Sequence, residues 1–157
     1  MFCFPSKKNT YLYSPVDGIQ IPIEKVNDPV FSTKMMGNGV AFQFDGDTIY
    51  SPCHGKIKLI APTLHAIGMT LSNGIEILIH VGLDTVRLNG QGFTVLCKEG
   101  DNVVVNTPLL KIDRKVMEKE NIDLTIVMII LDDKQIHYSI NYQTNVKKGV
   151  SKVIIIK

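Results

Sequence analysis

The chain has 157 residues, of which 45 % are hydrophobic and 20 % charged, and 17 basic residues against 15 acidic ones leave a net charge of +2. A chain this apolar is not a disordered tail, and its length suffices for one domain with a real core. Basic residues never run beyond pairs such as Lys7-Lys8 and Lys147-Lys148, so the clustered patch that binds nucleic acid is not expected. In chain order, Met1-Phe2-Cys3-Phe4-Pro5 lacks the charged head and long apolar stretch of a signal peptide, which predicts a cytosolic protein with a loose start over residues 1–10. Strands are then predicted at Ile19–Ile23, Val40–Phe44, Lys56–Ile60, Ile75–Val81, Phe93–Leu96, Leu109–Ile112, Thr125–Ile130 and Val153–Ile156, separated by glycine-bearing turns. Helix signals are sparse: a helical turn within Phe31–Met36, and a short helix in Asp113–Asn121, which opens on an acidic residue and continues in good helix formers. The longest apolar runs, Ile126–Leu131 and Val153–Ile156, fall far short of a membrane span. The predicted fold is therefore all-β, an antiparallel sandwich or barrel with one or two short helical segments, in a single domain over residues 1–157.

Cys3, Cys53 and Cys97 are odd in number and widely spaced, with no CxxC pair. They read as reduced thiols, with Cys53 and Cys97 filling the core.

The segment Pro62–Phe93 carries the chemistry. Asn73-Gly74 is the strongest hairpin signal in the chain, and a two-residue turn there sets Ser72 against Ile75, His65 against Gly82 and His80 against Ile67. Side chains alternate along a strand, so His65 and His80 then share a face as diagonal neighbours roughly 7–8 Å apart at the backbone. A turn centred on Ser72-Asn73 would set them directly opposite. A register that pairs residues of like parity would instead send them to opposite faces. Thr63 lies two residues before His65, and its hydroxyl can fix the tautomer of that ring. His54 and His137 have no such company and read as surface residues.

Two adjacent imidazoles repel when both are charged, so at least one stays neutral near pH 7. Two chemistries suit such a pair. In phosphoryl transfer one imidazole attacks phosphorus while the other donates a hydrogen bond to the phosphoryl oxygens. In zinc binding, Asp84 joins His65 and His80 as a third ligand, but no HxH or HExxH completes a hydrolase.

At these residues the chain resembles the glucose-type (type 1) IIA component of the bacterial phosphoenolpyruvate-dependent sugar phosphotransferase system. The resemblance rests on Asp28-Pro29-Val30-Phe31-Ser32-x-Lys34-x-Met36-Gly37-x-Gly39-x-Ala41, Pro52-x-x-Gly55-x-Ile57 and Thr63-x-His65-Ala66. It continues in Gly74-x-Glu76-x-Leu78-x-His80-x-Gly82-x-Asp84-Thr85-Val86-x-Leu88-x-Gly90-x-Gly92-Phe93, Glu99-Gly100-Asp101-x-Val103 and Pro108-Leu109-Leu110-x-x-Asp113. It is densest over residues 28–133. It implies an antiparallel β-sandwich and a phosphocarrier in which His80 takes the phosphoryl group on Nε2, His65 stabilises it and Thr63 orients His65. It implies the carrier protein HPr as donor, a cysteine of the IIB domain of a glucose-class permease as acceptor, and no cofactor. Val30, Phe31, Met35 and Met36 match an apolar docking rim, and Asp28 and Asp84 match acidic positions that pair with a basic residue of HPr. Methionine suits a surface that meets unlike partners. The resemblance also admits regulatory targets, some through zinc shared with a partner. The short leader makes a poor amphipathic helix, so a free-standing IIA protein without that membrane contact is expected. The competing readings are a regulatory binding protein without phosphoryl flow, a zinc hydrolase using the His65/His80 pair, and a biotinyl or lipoyl carrier, for which no lysine sits in a suitable hairpin.

Overall fold

The computed structural model describes residues 8–157. Cys3 and most of the predicted loose leader therefore lie outside the described residues, while Thr10 already opens the first strand. Fourteen strands follow in chain order: β1 (Thr10–Tyr13), β2 (Gly18–Pro22), β3 (Gly39–Phe44), β4 (Thr48–Tyr50), β5 (Gly55–Ile60), β6 (Ala66–Leu71), β7 (Glu76–Val81), β8 (Phe93–Val95), β9 (Asn102–Val103), β10 (Pro108–Ile112), β11 (Ile126–Ile130), β12 (Tyr138–Ile140), β13 (Asn145–Val146) and β14 (Lys152–Ile156). The helices are α1 (Pro29–Ser32) and α2 (Arg114–Lys119). Each begins on an aspartate, Asp28 or Asp113, whose carboxylate accepts free backbone N–H groups of the first turn. The helical turn expected at Phe31–Met36 starts earlier, at Pro29, where the fixed φ of proline suits the first helical position.

All strand pairs are antiparallel. One eight-stranded sheet runs β13-β2-β3-β11-β7-β6-β5-β9, and two three-stranded sheets run β1-β14-β12 and β4-β10-β8. Each sheet has two ends, so the protein is a β-sandwich and not the barrel that the strand pattern also allowed. The main core is shared among all three sheets. Ile77, Ile79 and Val81 of β7 meet Phe42, Met128 and Ile67 there, together with Leu12, Ile49, Leu109 and Ile154 from the smaller sheets. Burying an aliphatic side chain of this size contributes about 1.5–3 kcal/mol.

Strand β11 is buried along its whole length. Its even-numbered residues enter the main core, while Val127 and Ile129 enter a second cluster on the opposite face of the large sheet. Ile23, Val26 and Phe31 cap that cluster from the segment between β2 and β3. This apolar patch on the outer face of the sheet is the floor on which the histidines sit.

Candidate functional site

The β6–β7 hairpin does not have the two-residue turn that Asn73-Gly74 predicts. Leu71 N–H donates to the Ile75 carbonyl at 2.8 Å and Gly74 N–H to the Leu71 carbonyl at 2.9 Å, which makes Ser72-Asn73-Gly74 a three-residue loop. Only Gly74 has positive φ, +85°. Asn73 instead uses its side-chain oxygen to accept the Ile75 N–H at 3.1 Å. A tight turn followed by one left-handed residue is the usual three-residue solution. The extra residue shifts the register by one, so that His80 pairs with Ala66 and Ile79 with Ile67. This is the like-parity register that should separate the two histidines.

They meet nonetheless, with ring centroids 4.8 Å apart and planes at 79°. His65 lies one residue outside β6, where strand alternation does not bind it. Its carbonyl still accepts the Val81 N–H at 2.8 Å, so the backbone keeps the ladder. The preceding residue, Leu64, has φ +63°, and Leu64 N–H closes a turn onto the Ala61 carbonyl at 2.8 Å. The turn at the end of β5, rather than the ladder, thus sets the direction of the ring. Thr63 Oγ1 stands 2.7 Å from His65 Nδ1, which leaves Nε2 as the free edge of that ring. Burial lowers the His65 pKa, and the Thr63 backbone partly offsets this.

His80 projects from β7 onto the outer face of the sheet, beside Val127. Phe31 packs against it with centroids 4.9 Å apart and planes at 59°. Burial first, and then the neighbouring His65, lower the His80 pKa to about 4, against opposing pulls from the Gly82 backbone and the Asp28 carboxylate. At neutral pH the ring is therefore uncharged. Its Nδ1 is buried and has no well-aligned hydrogen bond, although the Gly82 backbone is close enough to act on it. Nε2 is left as the outward nitrogen.

The remaining expected residues divide. Asp28 caps α1 and acts on His80 through its charge. Val30 and Met36 are exposed, and Met35 is 75 % exposed. Phe31 is only 4 % exposed and belongs to the floor beneath His80, because the short helix turns it inward. Asp84 stands on a left-handed backbone at φ +56°, and its carboxylate lies 3.5 Å from Arg87. Among the described residues no three His, Cys, Asp or Glu side chains gather as a metal centre, so Asp84 does not complete one with the histidines.

Two further apolar side chains are each 53 % exposed, Leu59 on this face and Val86 in the 3₁₀ turn that follows β7. Val86 follows the His80 strand within the motif, and its exposure depends on a single 3₁₀ turn, Thr85–Leu88. Leu59 reaches the histidine face through a bulge in β5, where Ile57 pairs with Met69 but Leu59 pairs with Gly68. The bulge turns a residue that alternation assigns to the core outward, and no sequence signal marks it. Cys53 is buried and its thiol is pushed up to about 12, so it is inert packing as expected. His54 and His137 are exposed.

Residues 10–136 match the family described as phosphoenolpyruvate-dependent sugar phosphotransferase system, EIIA 1. The chain is 41 % identical over 150 residues to the PTS system glucose-specific EIIA component of Staphylococcus aureus, covering 94 % of this chain and 90 % of that protein. It is 47 % identical over 120 residues to the PTS system glucoside-specific EIICBA component of Staphylococcus carnosus, covering 76 % of this chain but only 17 % of the longer relative. The solved structure of glucose permease IIA from Mycoplasma capricolum superposes with a TM-score of 0.83 at 32 % identity, over 98 % of this chain and 99 % of that one.

Proposed function

Because the chain belongs to the EIIA 1 family of the phosphoenolpyruvate-dependent sugar phosphotransferase system, we propose that it is a phosphocarrier that takes a phosphoryl group on His80 Nε2 and passes it on during sugar uptake. The observation that carries this reading is the edge-on pair of imidazoles, with His80 held neutral and its Nε2 outward. An uncharged imidazole has a lone pair to attack phosphorus, and an imidazolium does not. In the forward step the His80 Nε2 lone pair forms a P–N bond as the P–N bond to the donor's histidine breaks, and the donor imidazole leaves with that electron pair. His65 Nε2–H donates to a phosphoryl oxygen while Thr63 holds its Nδ1. In the second step an acceptor thiolate attacks phosphorus and His80 leaves neutral.

The donor in this reading is HPr, and the acceptor is a cysteine on the IIB domain of a glucose-class permease. Long relatives named EIICBA, to which this chain is similar over a fraction of their length, support that pairing. Val30, Met35, Met36, Val86 and Leu59 form the apolar rim on which partners dock, and Asp28 and Asp84 supply its negative charge. Residues 1–157 act as one EIIA domain in this reading, at a cytoplasmic location. Among the described residues no helix is long and apolar enough to cross a membrane.

The test is intact-mass analysis after incubation with phosphoenolpyruvate, enzyme I and HPr. The expected result is one acid-labile phosphoryl group on the wild type and none on His80→Gln. His65→Gln is expected to accept the group but to pass it poorly to a IIB domain. No label on the wild type, with a known IIA protein labelled in the same reaction, would overturn the proposal in favour of a regulatory role.

A further inference from the structure

Thr85 is fully buried, at 0 % exposure, and is one of the few polar side chains in the interior. Its hydroxyl donates to the Val81 carbonyl at 2.8 Å and lies 3.4 Å from the Gly82 carbonyl. Those carbonyls belong to the two residues after His80. A buried hydroxyl needs a partner, and this one finds it in the strand end that carries the histidine. The same turn is held from the other side: Gly82 N–H donates to the Thr125 carbonyl at 3.0 Å and Leu83 N–H to the Asp123 carbonyl at 2.8 Å. Gly82 itself has φ +74°, and a Cβ there would stand 2.5 Å from Thr85 Cγ2. Threonine therefore fills the space beside Gly82 with its methyl group and ties the backbone with its hydroxyl. The Nδ1 of His80 is buried without a hydrogen-bond partner, and the Gly82 backbone of this same turn is close enough to act on that ring.

We propose that Thr85 is a positioning residue: its hydroxyl sets the Val81-Gly82 carbonyls so that His80 keeps its proton on Nδ1 and presents a bare Nε2. This deepens the phosphocarrier reading and rests on it. In a neutral imidazole, the nitrogen that meets an acceptor holds the hydrogen and the other carries the lone pair. A carbonyl that comes within reach of Nδ1 thus decides whether Nε2 is a nucleophile. Without the hydroxyl the turn loses one of its ties, and the carbonyl has more freedom to swing away from the ring.

The test compares Thr85→Val, Thr85→Ala and Thr85→Ser in the intact chain. Nitrogen-15 NMR reads the His80 tautomer, and a timed reaction with phospho-HPr reads phosphoryl acceptance. Alanine and serine differ by one oxygen, so that pair isolates the hydroxyl even if the valine variant does not fold. The expected result is a rise in the Nε2–H form and an acceptance rate about fivefold lower in Thr85→Ala than in Thr85→Ser, the loss expected for one modest hydrogen bond. Thr85→Ser should keep the wild-type tautomer. Equal tautomer populations and rates in the alanine and serine variants would overturn the proposal, since the methyl group and not the hydroxyl would then be what matters. The NMR comparison needs no phosphorylation. If the wild type takes no phosphoryl group, the phosphocarrier reading fails while the role of Thr85 in setting the tautomer is still decided.

Discussion

His80 is neutral because of where it stands. Phe31 and Val127 exclude water from one side of the ring and His65 discourages a second charge from the other. Replacing Phe31 by alanine should therefore do two things at once. It should destabilise the fold by about 3–5 kcal/mol through loss of a buried aromatic ring. It should also raise the His80 pKa from about 4 toward its ordinary value by letting water in, as an NMR titration beside urea unfolding would show. Gly82 is the other residue whose chemistry is forced. At φ +74° with Thr85 and Ile122 crowding its missing Cβ, Gly82→Ala should cost about 1–3 kcal/mol, measured as a lowered urea midpoint. The sequence motif contains Gly82 and Thr85 but does not say why; the space beside them does.

Polar contacts at their ends hold the short segments around the site. Asp28 caps α1 by accepting the Val30 N–H at 3.0 Å, and its charge favours protonated His80. Asp28→Ala removes both effects, so stability should fall by about 1 kcal/mol and the His80 pKa should drop further. Asp28→Asn keeps a capping oxygen and should show only the pKa change, which separates the two roles by titration and unfolding of both variants. The eight predicted strands lie within a residue or two of their sequence-based positions, since β-branched runs between turn residues leave little choice, whereas the short β1, β4, β9, β12 and β13 had no such signal. The hairpin loop was less legible. Asn-Gly signals a turn but not its length, and here the Asn73 side chain and the single left-handed Gly74 select three residues. The shifted ladder would have parted the histidines had His65 been inside β6.

Across the molecule, the His80 site links stability to pH. The group has an unfolded pKa near 6.5 and a folded value of about 4, so between these values the unfolded chain binds more protons. Stability is then full above about pH 6.5 and falls as pH drops toward 4, by on the order of 3 kcal/mol for this one group. Urea unfolding of wild type and His80→Gln at pH 5 and pH 7.5 checks the sign: the wild type should lose more on acidification than the variant. The exposed rim should act differently. Met35→Glu should leave the urea midpoint nearly unchanged, because this side chain is 75 % exposed, yet slow phosphoryl transfer from HPr by lessening the apolar area available for docking. Equal transfer rates for Met35→Glu and wild type would remove Met35 from the rim.

The local code contained the places where the chain turns, eight of the fourteen strands, the helix start at Asp113 and the motif that brings His65 and His80 into one hairpin, because these depend on residues close in the chain. It also contained the family resemblance on which the phosphocarrier reading draws. Tertiary structure decided the rest. The pairing of β1 with β14 joins segments more than a hundred residues apart, and no local pattern specifies it. The bulge that exposes Leu59 and the inward turn of Phe31 are equally non-local. Each is settled by which surface is left to cover once the large sheet has closed its main core. The same reason makes His80 neutral: its ionisation depends on the solvent that packing removes, and packing is a property of the folded chain.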